Sequence, residues 1–186
     1  MTYRIAILDD NAADLQRTEE MLSTYSAAHP EHELKTVCFT QTEPFMESVC
    51  RTGHDGAGAW AFDILLMDIY LPDGNGMNCA RTLRENGYEG IIIFQSSSAE
   101  HAVEAYQVDA KQYLLKPISP ERFFAVMDRA AEELPKCRKK RGTQETAEPG
   151  VQPARDSVPD QAHTYGHSFR FLIDTLRIKW NSRKNG

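Results

Sequence analysis

The sequence predicts a three-layer α/β domain with a parallel five-stranded sheet. Short apolar runs alternate five times with segments of helical spacing within the first 134 residues. That alternation is typical of a parallel sheet with right-handed crossovers and helices on both faces. The runs do not alternate cleanly between apolar and polar residues, which favours strands buried on both faces.

The predicted strands are short runs of four to six mostly apolar residues. Each is followed by polar or turn-forming residues, which is where a strand in such a domain ends. The five segments are Tyr3 to Leu8, Leu34 to Phe39, Phe62 to Met67, Ile91 to Phe94 and Gln112 to Leu115.

The first two helices are predicted from a capping residue followed by a periodic face. Asn11 is a good N-cap residue for the first helix, and Thr42 is predicted to cap the second. Residues spaced three or four apart then share one side of each helix. The predicted inward residues are Leu15, Thr18, Leu22 and Tyr25 in the first helix, and Phe45, Met46 and Val49 in the second.

The other three helices are predicted in the same way. The third begins at about Met77, and Gly87 is placed to end it in the left-handed conformation. The fourth spans Ala99 to Gln107, and the fifth has Ser119 as its cap and Pro120 at its first position. Their predicted apolar contacts are Ala80 and Leu83, then Val103 and Tyr106, then Phe123, Phe124, Val126, Met127 and Ala130.

Polar residues follow four of the five predicted strands. Asp9 and Asp10 follow the first strand, Asp68 the third, Ser96 the fourth and Lys116 the fifth. In open parallel sheets, ligands bind beyond the carboxyl ends of the strands, at the point where the strand order reverses. If the strand order is 2-1-3-4-5, that point lies between the first and third strands. Clustered carboxylates repel one another, so a site that keeps them ionised needs a cation, and Mg²⁺ prefers oxygen ligands. The sequence therefore predicts a site for a divalent cation and a phosphoryl group.

Four motifs give the chain a resemblance to a known family. They are the acidic pair in "IAILDDN", the segment "LLMDIYLPDGNGM", the hydroxyl after "IIIF" and the closing "YLLKP". Together they resemble the receiver domain of a bacterial two-component response regulator. "AVEAYQVDAKQYLLKPI" and "DIYLPDGNGM" are most similar to receivers of the LytTR group. The resemblance implies a flavodoxin-like (βα)5 fold over residues 1–134.

The resemblance also implies a metal centre and a phosphoacceptor. Asp68 would accept the phosphoryl group. Asp10 and Asp68 would bind Mg²⁺ or Mn²⁺ directly and Asp9 through water, while the backbone carbonyl of Tyr70 would complete the protein ligands. The divalent ion is the cofactor that the resemblance implies.

Further residues would bind the phosphoryl group and transmit its presence. Ser96 would bond one phosphoryl oxygen and Lys116 another, with Ser97 as the alternative hydroxyl one residue on. Tyr113 resembles the switch aromatic, and the bond before Pro117 is expected to be cis. The surface formed by the fourth helix, fifth strand and fifth helix would carry the signal. Its candidate contact residues are Val103, Tyr106, Val108 and Phe123, and core packing is the favoured role for at least half of them.

The favoured function is a signalling module in a two-component phosphorelay. A sensor histidine kinase would phosphorylate Asp68, and the altered surface would control a downstream target, including transcription, or a second copy in a homodimer. The alternative is a Mg²⁺-dependent phosphatase of the aspartyl-phosphate type. Such enzymes need a second carboxylate two residues after the nucleophile, where this chain has Tyr70. A receiver-like domain that binds partners without phosphorylation is a third alternative, disfavoured because every chemical residue is present.

Composition agrees with a cytoplasmic regulator. No apolar run has the length of a membrane span, and the N-terminus has no signal-peptide pattern. The four cysteines form no CxxC pair, so neither a disulfide framework nor a zinc site is indicated. They are Cys38, Cys50, Cys79 and Cys137.

The charge distribution divides the chain at about residue 134. Residues 1–134 contain 10 Lys and Arg against 22 Asp and Glu, whereas residues 135–186 contain 11 against 5. This basic tail is polar and rich in proline, so it is predicted to be mostly disordered. A structured stretch is predicted at 168–180, as a helix or as a strand. The tail is too short for a complete β-rich DNA-binding domain, so DNA would be a partner only with a fuller output domain.

Overall fold

The computed structural model describes residues 1–50 and 60–144, with side chains described as far as residue 135. Five strands form one parallel sheet, in the order β2-β1-β3-β4-β5. The predicted fold class and strand order are therefore confirmed. The strands are β1 (Thr2–Leu8), β2 (Glu33–Phe39), β3 (Ile64–Met67), β4 (Ile91–Ser96) and β5 (Gln112–Leu115).

Five helices connect or follow the strands. A short antiparallel ribbon of Tyr70–Leu71 and Gly74–Asn75 lies between β3 and the third helix. The helices are α1 (Ala12–Ala28), α2 (Thr42–Val49), α3 (Gly76–Glu85), α4 (Ala102–Gln107) and α5 (Pro120–Gln144).

Two apolar clusters cover the two faces of the sheet. Because side chains alternate along a strand, Ile5 and Ile7 of β1 belong to one cluster, while Ala6 and Leu8 belong to the other. The first cluster packs against α1 and α5, and the second packs against α2, α3 and α4. This three-layer packing fixes the strand ends relative to one another.

Three of the predicted helix boundaries are confirmed. The side chain of Asn11 accepts hydrogen bonds from the backbone N–H groups of Ala13 and Asp14, and the four predicted inward residues of α1 are buried. Gly87 has a φ of 85°, in the left-handed region, just after α3. At the start of α5, the hydroxyl oxygen of Ser119 accepts from the N–H of Arg122.

The predicted cap of α2 is wrong. Thr42 is the first helical residue, and the N-cap residue Gln41 makes no side-chain capping bond. The carboxylate of Asp73, from the connection between β3 and α3, instead accepts from the backbone N–H and the hydroxyl of Thr42, both at 2.8 Å. A cap supplied by a residue 31 positions away leaves no local signal in the sequence.

The predicted contacts of α4 are also wrong. The helix begins at Ala102 rather than Ala99, and Val103 and Tyr106 are 80% and 86% exposed. Ala105 and Val108 are the buried residues instead. Residues three apart share a helix face, so α4 has two candidate apolar faces, and packing decides which of them turns inward.

The expectation that every strand is buried on both faces fails for β2. This strand lies at an edge of the sheet, and every one of its residues is exposed or partly exposed. Val37 is 45% exposed. An edge strand is covered less completely than a central one, which periodicity alone does not reveal.

Helix α5 extends past residue 134 as far as Gln144, with Pro135 inside it. It therefore enters the segment that the sequence predicts to be disordered. Residues 145–186, which include the predicted structured stretch at 168–180, lie outside the described residues, so the tail prediction stays a prediction. No helix within the described part of the chain is long and apolar enough to cross a membrane.

Candidate functional site

The carboxyl ends of the central strands place the acidic residues side by side. The backbone N–H of Asp68 donates to the carbonyl of Leu8 at 2.7 Å, and that of Lys116 donates to the carbonyl of Ser96 at 2.9 Å. These bonds lie at the ends of β1, β3, β4 and β5. The strand ladder therefore sets the relative positions of Asp9, Asp68 and Lys116.

The structure brings the three predicted carboxylates together. One oxygen from each of Asp9, Asp10 and Asp68 lies within 4.8 Å of the other two. Asp9 and Asp68 are buried, and Asp10 is exposed to solvent. An all-oxygen cluster with one side open to water has the ligand chemistry that Mg²⁺ prefers.

The ammonium group of Lys116 lies among these acids. It donates to Asp9 Oδ2 at 2.6 Å and to Asp68 Oδ2 at 2.7 Å, and it lies 3.0 Å from Asp14 Oδ2. With Asp10 nearby, one positive charge faces four carboxylates. The excess of negative charge fits a divalent cation.

Asp14 is a site residue that the sequence reasoning missed. It lies in the first turn of α1, four residues after Asp10, and its side chain is 21% exposed. An acid in the first turn of a helix is normally explained by its favourable interaction with the positive end of the helix dipole. Its contact with Lys116 is therefore not apparent from its position in the sequence. Asp10 precedes the N-cap residue Asn11, so no helical spacing relates the two acids, and the sequence carries no local signal for this contact.

Burial and charge act on these groups in opposite directions. Burial raises the pKa of Asp9 above its usual value, although the hydrogen bond from Lys116 opposes the rise. Burial likewise opposes the charged form of Lys116, but its hydrogen bonds to Asp68 and Asp9 prevail and raise its pKa. Lys116 therefore remains an ammonium group throughout the neutral range.

The carboxylate of Asp68 is oriented by its own loop. Its Oδ1 accepts from the backbone N–H of Ile69 at 2.6 Å and from that of Tyr70 at 3.2 Å, while Oδ2 faces Lys116. Gly76 closes this loop, because its N–H donates to the carbonyl of Ile69 at 2.9 Å. A Cβ at Gly76 would overlap the carbonyl oxygen of Asp68.

We expect Gly76→Ala to lower the free energy of unfolding by about 1–3 kcal/mol, because the added methyl group forces the backbone of Asp68 to shift. Urea unfolding measures this loss. Gly87→Ala is the matched control, since it strains the backbone at a positive φ with nothing within 4 Å of the new Cβ. Only Gly76→Ala should also weaken Mg²⁺ binding. Unchanged stability in Gly76→Ala would contradict the close approach.

Ser96 is the last residue of β4 and is fully buried, whereas Ser97 is exposed. The hydroxyl oxygen of Ser96 accepts from the backbone N–H of Ser98 at 3.4 Å. The hydroxyl of Tyr113 donates to the carbonyl of Ser98 at 2.5 Å. Ser96 and Tyr113 thus contact the same loop after β4.

Two further features concern Pro117 and Tyr70. The Lys116–Pro117 bond is cis, the isomer that the resemblance implies. The ring of Tyr70 is 43% exposed, and its hydroxyl donates to Glu100 at 3.2 Å. The position where a phosphatase of this type needs a carboxylate thus holds an aromatic ring bonded to a different loop.

Gln95 is a buried polar residue in the strand that ends at Ser96. Its side chain is 2% exposed, and its Oε1 accepts from the hydroxyl of Thr18 at 3.0 Å. Its Nε2 is buried and has no hydrogen-bond partner among the described residues. It lines a cavity of about 290 Å³ with Lys116 and Pro117.

We expect Gln95→Leu to raise the free energy of unfolding by about 1 kcal/mol, because it removes a buried donor that lacks a partner. The hydroxyl of Thr18 can turn to a backbone carbonyl of its own helix. Urea unfolding checks the sign. A lower free energy would mean that the amide has a partner in solution, such as a bound water.

Comparisons with known proteins agree with this geometry. Residues 5–128 match the family model described as response regulator receiver domain. Sensory transduction protein LytT of Enterococcus faecalis is 31% identical over 99 residues, which cover 53% of this chain and 38% of LytT. LytT proteins of other bacteria also match, in keeping with the resemblance to the LytTR group. The chain thus matches well under half the length of these relatives.

Solved structures show the same fold. The response regulatory domain of mrkE from Klebsiella pneumoniae has a TM-score of 0.60 at 20% identity, covering 72% of this chain and 98% of that one. The BeF3-activated receiver domain of DrrB, a Thermotoga maritima protein, has a TM-score of 0.54 at 26% identity, covering 71% and 99%. With the family match spanning most of the described chain, this protein belongs to the response regulator receiver domain family of two-component signalling.

Proposed function

We propose that this receiver accepts a phosphoryl group on Asp68 and signals through the resulting change in its surface. The observation that carries the proposal is the convergence of three carboxylate side chains with the ammonium group of Lys116. A buried Asp held beside a fixed cation has the parts for phosphoryl transfer, which depends mostly on positioning and charge.

The site fits a divalent ion by its donor set. Asp10 and Asp68 would hold Mg²⁺ or Mn²⁺ directly, Asp9 through water, and the carbonyl of Tyr70 would be the fourth protein group. A bound divalent ion would neutralise charge on the phosphoryl oxygens and on the carboxylates.

The chain's own residues provide the nucleophile and its orientation. The N–H groups of Ile69 and Tyr70 hold Oδ1 of Asp68, so a carboxylate oxygen is presented in a fixed direction. That oxygen bonds to phosphorus as the bond from phosphorus to the donor's imidazole nitrogen breaks. The bonding pair stays on that nitrogen, and the imidazole leaves in its neutral form because its other nitrogen carries a proton or because the freed nitrogen takes one from solvent. Lys116 would then pair with a phosphoryl oxygen.

The phosphoryl group would act through the loop after β4. Ser96, or Ser97 in its place, would bond a phosphoryl oxygen, and Tyr113 would follow because both contact this loop. Reversing a 1:99 ratio of two states takes about 5.5 kcal/mol, and a few charge-assisted hydrogen bonds of about 1.5–3 kcal/mol each supply that. The readout surface would be α4, β5 and α5, where Val103 and Tyr106 are exposed.

The partners follow from this role. A sensor histidine kinase in the cytoplasm would supply the phosphoryl group, and the changed surface would bind a downstream target or a second copy of the chain. Transcription control would need a DNA-binding output domain. The first 134 residues would form the receiver, and residues 135–186 a basic appendage.

The test is to incubate the full chain with Mg²⁺ and a small phosphodonor and to measure its intact mass. One phosphoryl adduct per chain, formed only with the divalent ion and lost slowly by self-catalysed hydrolysis, supports the proposal. Rapid release of many phosphates per chain would instead support the phosphatase alternative. Finding neither an adduct nor released phosphate with Mg²⁺ or Mn²⁺ would contradict both.

A further inference from the structure

The connection between β3 and α3, residues 69–75, is called the acceptor loop here. It provides the two backbone N–H groups that orient Asp68. It also carries the carbonyl of Tyr70, a proposed metal ligand. The position of the acceptor loop therefore determines both the direction of the acceptor carboxylate and the shape of the metal site.

Among the described residues, two side chains of the acceptor loop form hydrogen bonds with segments that are distant in the chain. The first contact is the bond from the hydroxyl of Tyr70 to Glu100, which is exposed and 3.2 Å long. The second contact joins Asp73 to Thr42 at the start of α2, with two bonds of 2.8 Å to a fully buried residue. Both acceptors are carboxylates, but Asp73 accepts two bonds where Glu100 accepts one, and solvent competes less at a buried residue. The contact between Asp73 and Thr42 is therefore the stronger of the two.

The contact between Asp73 and Thr42 also completes α2. Gln41 provides no side-chain cap, so the first turn of α2 would otherwise lack that acceptor. The negative charge of Asp73 also lies at the positive end of the helix. Both donors reach Oδ2, while Oδ1 is buried without a hydrogen-bond partner among the described residues.

We propose that Asp73 is a positioning residue for metal binding and phosphoryl acceptance. By bonding the acceptor loop to α2, it holds the carbonyl of Tyr70 and the N–H groups around Asp68 where the site needs them. Asp73 touches neither the ion nor the phosphoryl group. The inference rests on the proposed function and adds a residue that lies outside the acidic cluster.

The test measures binding of Mg²⁺ alone to the full chain by isothermal titration calorimetry. We expect Asp73→Ala to weaken binding about fivefold, which corresponds to about 1 kcal/mol. Asp73→Asn retains an oxygen that can accept both bonds from Thr42, so we expect its affinity within about twofold of the natural chain, because neutral bonds are weaker but still present. The Mg²⁺ concentration that gives half the maximal phosphorylation rate should rise in parallel.

Controls separate positioning from stability. Ile91→Val removes one buried methyl group at the opposite end of β4 and lowers stability by about 0.5–1.5 kcal/mol. It should leave Mg²⁺ affinity unchanged. If Asp73→Ala loses stability but binds Mg²⁺ as the natural chain does, Asp73 is only a helix cap and the proposal fails.

Thr42→Val decides the question should Asp73→Ala not fold. It removes one of the two donors, so we expect a smaller loss of Mg²⁺ affinity, which Thr42→Ser should restore. If Thr42→Val binds Mg²⁺ as tightly as the natural chain does, the proposal is overturned. Failure of the proposed function has a different signature, because the natural chain itself would then bind no Mg²⁺ and accept no phosphoryl group.

Discussion

Asp68→Asn should take up no phosphoryl group from a small donor in the presence of Mg²⁺. The amide cannot supply the anionic oxygen that bonds to phosphorus, and no other carboxylate has the same combination of two backbone N–H bonds and contact with Lys116 in the described structure. The expected loss exceeds about 1000-fold, because the covalent nucleophile itself is removed. Intact mass after incubation measures the adduct directly.

The matched control is Asp128→Asn. Asp128 lies on α5, is about half exposed and bonds to Tyr25. The Asp128→Asn variant should accept the phosphoryl group on Asp68 at the same rate as the natural chain. An adduct of equal yield in Asp68→Asn would show that another residue is the acceptor, and peptide mapping would then identify it.

Lys116→Ala should strongly destabilise the protein in the absence of divalent ions. The ammonium group is the shared partner of Asp9 and Asp68, whose side chains are only 2% and 10% exposed, and of Asp14. Removing one partner of a buried ionic cluster costs about 3–5 kcal/mol, since the remaining charges are left uncompensated. We expect a loss near the lower figure, because Asp10 and Asp14 retain access to water. Urea unfolding in a chelator measures it.

The same substitution should make the protein depend on Mg²⁺ for stability. A divalent ion can neutralise the acids that Lys116 no longer reaches, so saturating Mg²⁺ should restore much of the lost free energy. Lys111→Ala is the control. Its partners Asp109 and Glu133 are exposed, and such pairs contribute about 0–1 kcal/mol. Equal losses in the two variants, or no response to Mg²⁺, would contradict this account of Lys116.

Phosphoryl acceptance should survive in part in Lys116→Ala, because Asp68 and the acids around it remain. The consequence of phosphorylation should be weaker, since one cation that would bond the phosphoryl oxygens is missing. The effect is measured by comparing the NMR chemical shifts of the backbone amides in α4 and β5 before and after phosphorylation. If the variant shows the same chemical-shift changes as the natural chain, the serine hydroxyl at the end of β4 transmits the signal without Lys116.

The fold class, four of the site positions and several helix limits were predictable from the sequence, and the strand order followed from the family resemblance. The strands are recognisable because their apolar runs are local, and the cap at Asn11 is recognisable because its partners lie two and three residues away. The meeting of Asp9, Asp10, Asp68 and Lys116 followed from a general property of parallel sheets, whose carboxyl ends share one edge.

The contacts between distant segments could be known only from the folded structure. Asp14 joins the acidic cluster because α1 packs beside the β5 end, and Asp73 caps α2 because the acceptor loop folds over it. The exposure of Val103 and Tyr106 depended on which side of α4 met the core. Local periodicity and capping depend on neighbours within about four residues, whereas these contacts depend on how whole elements pack, so no short segment of the sequence encodes them.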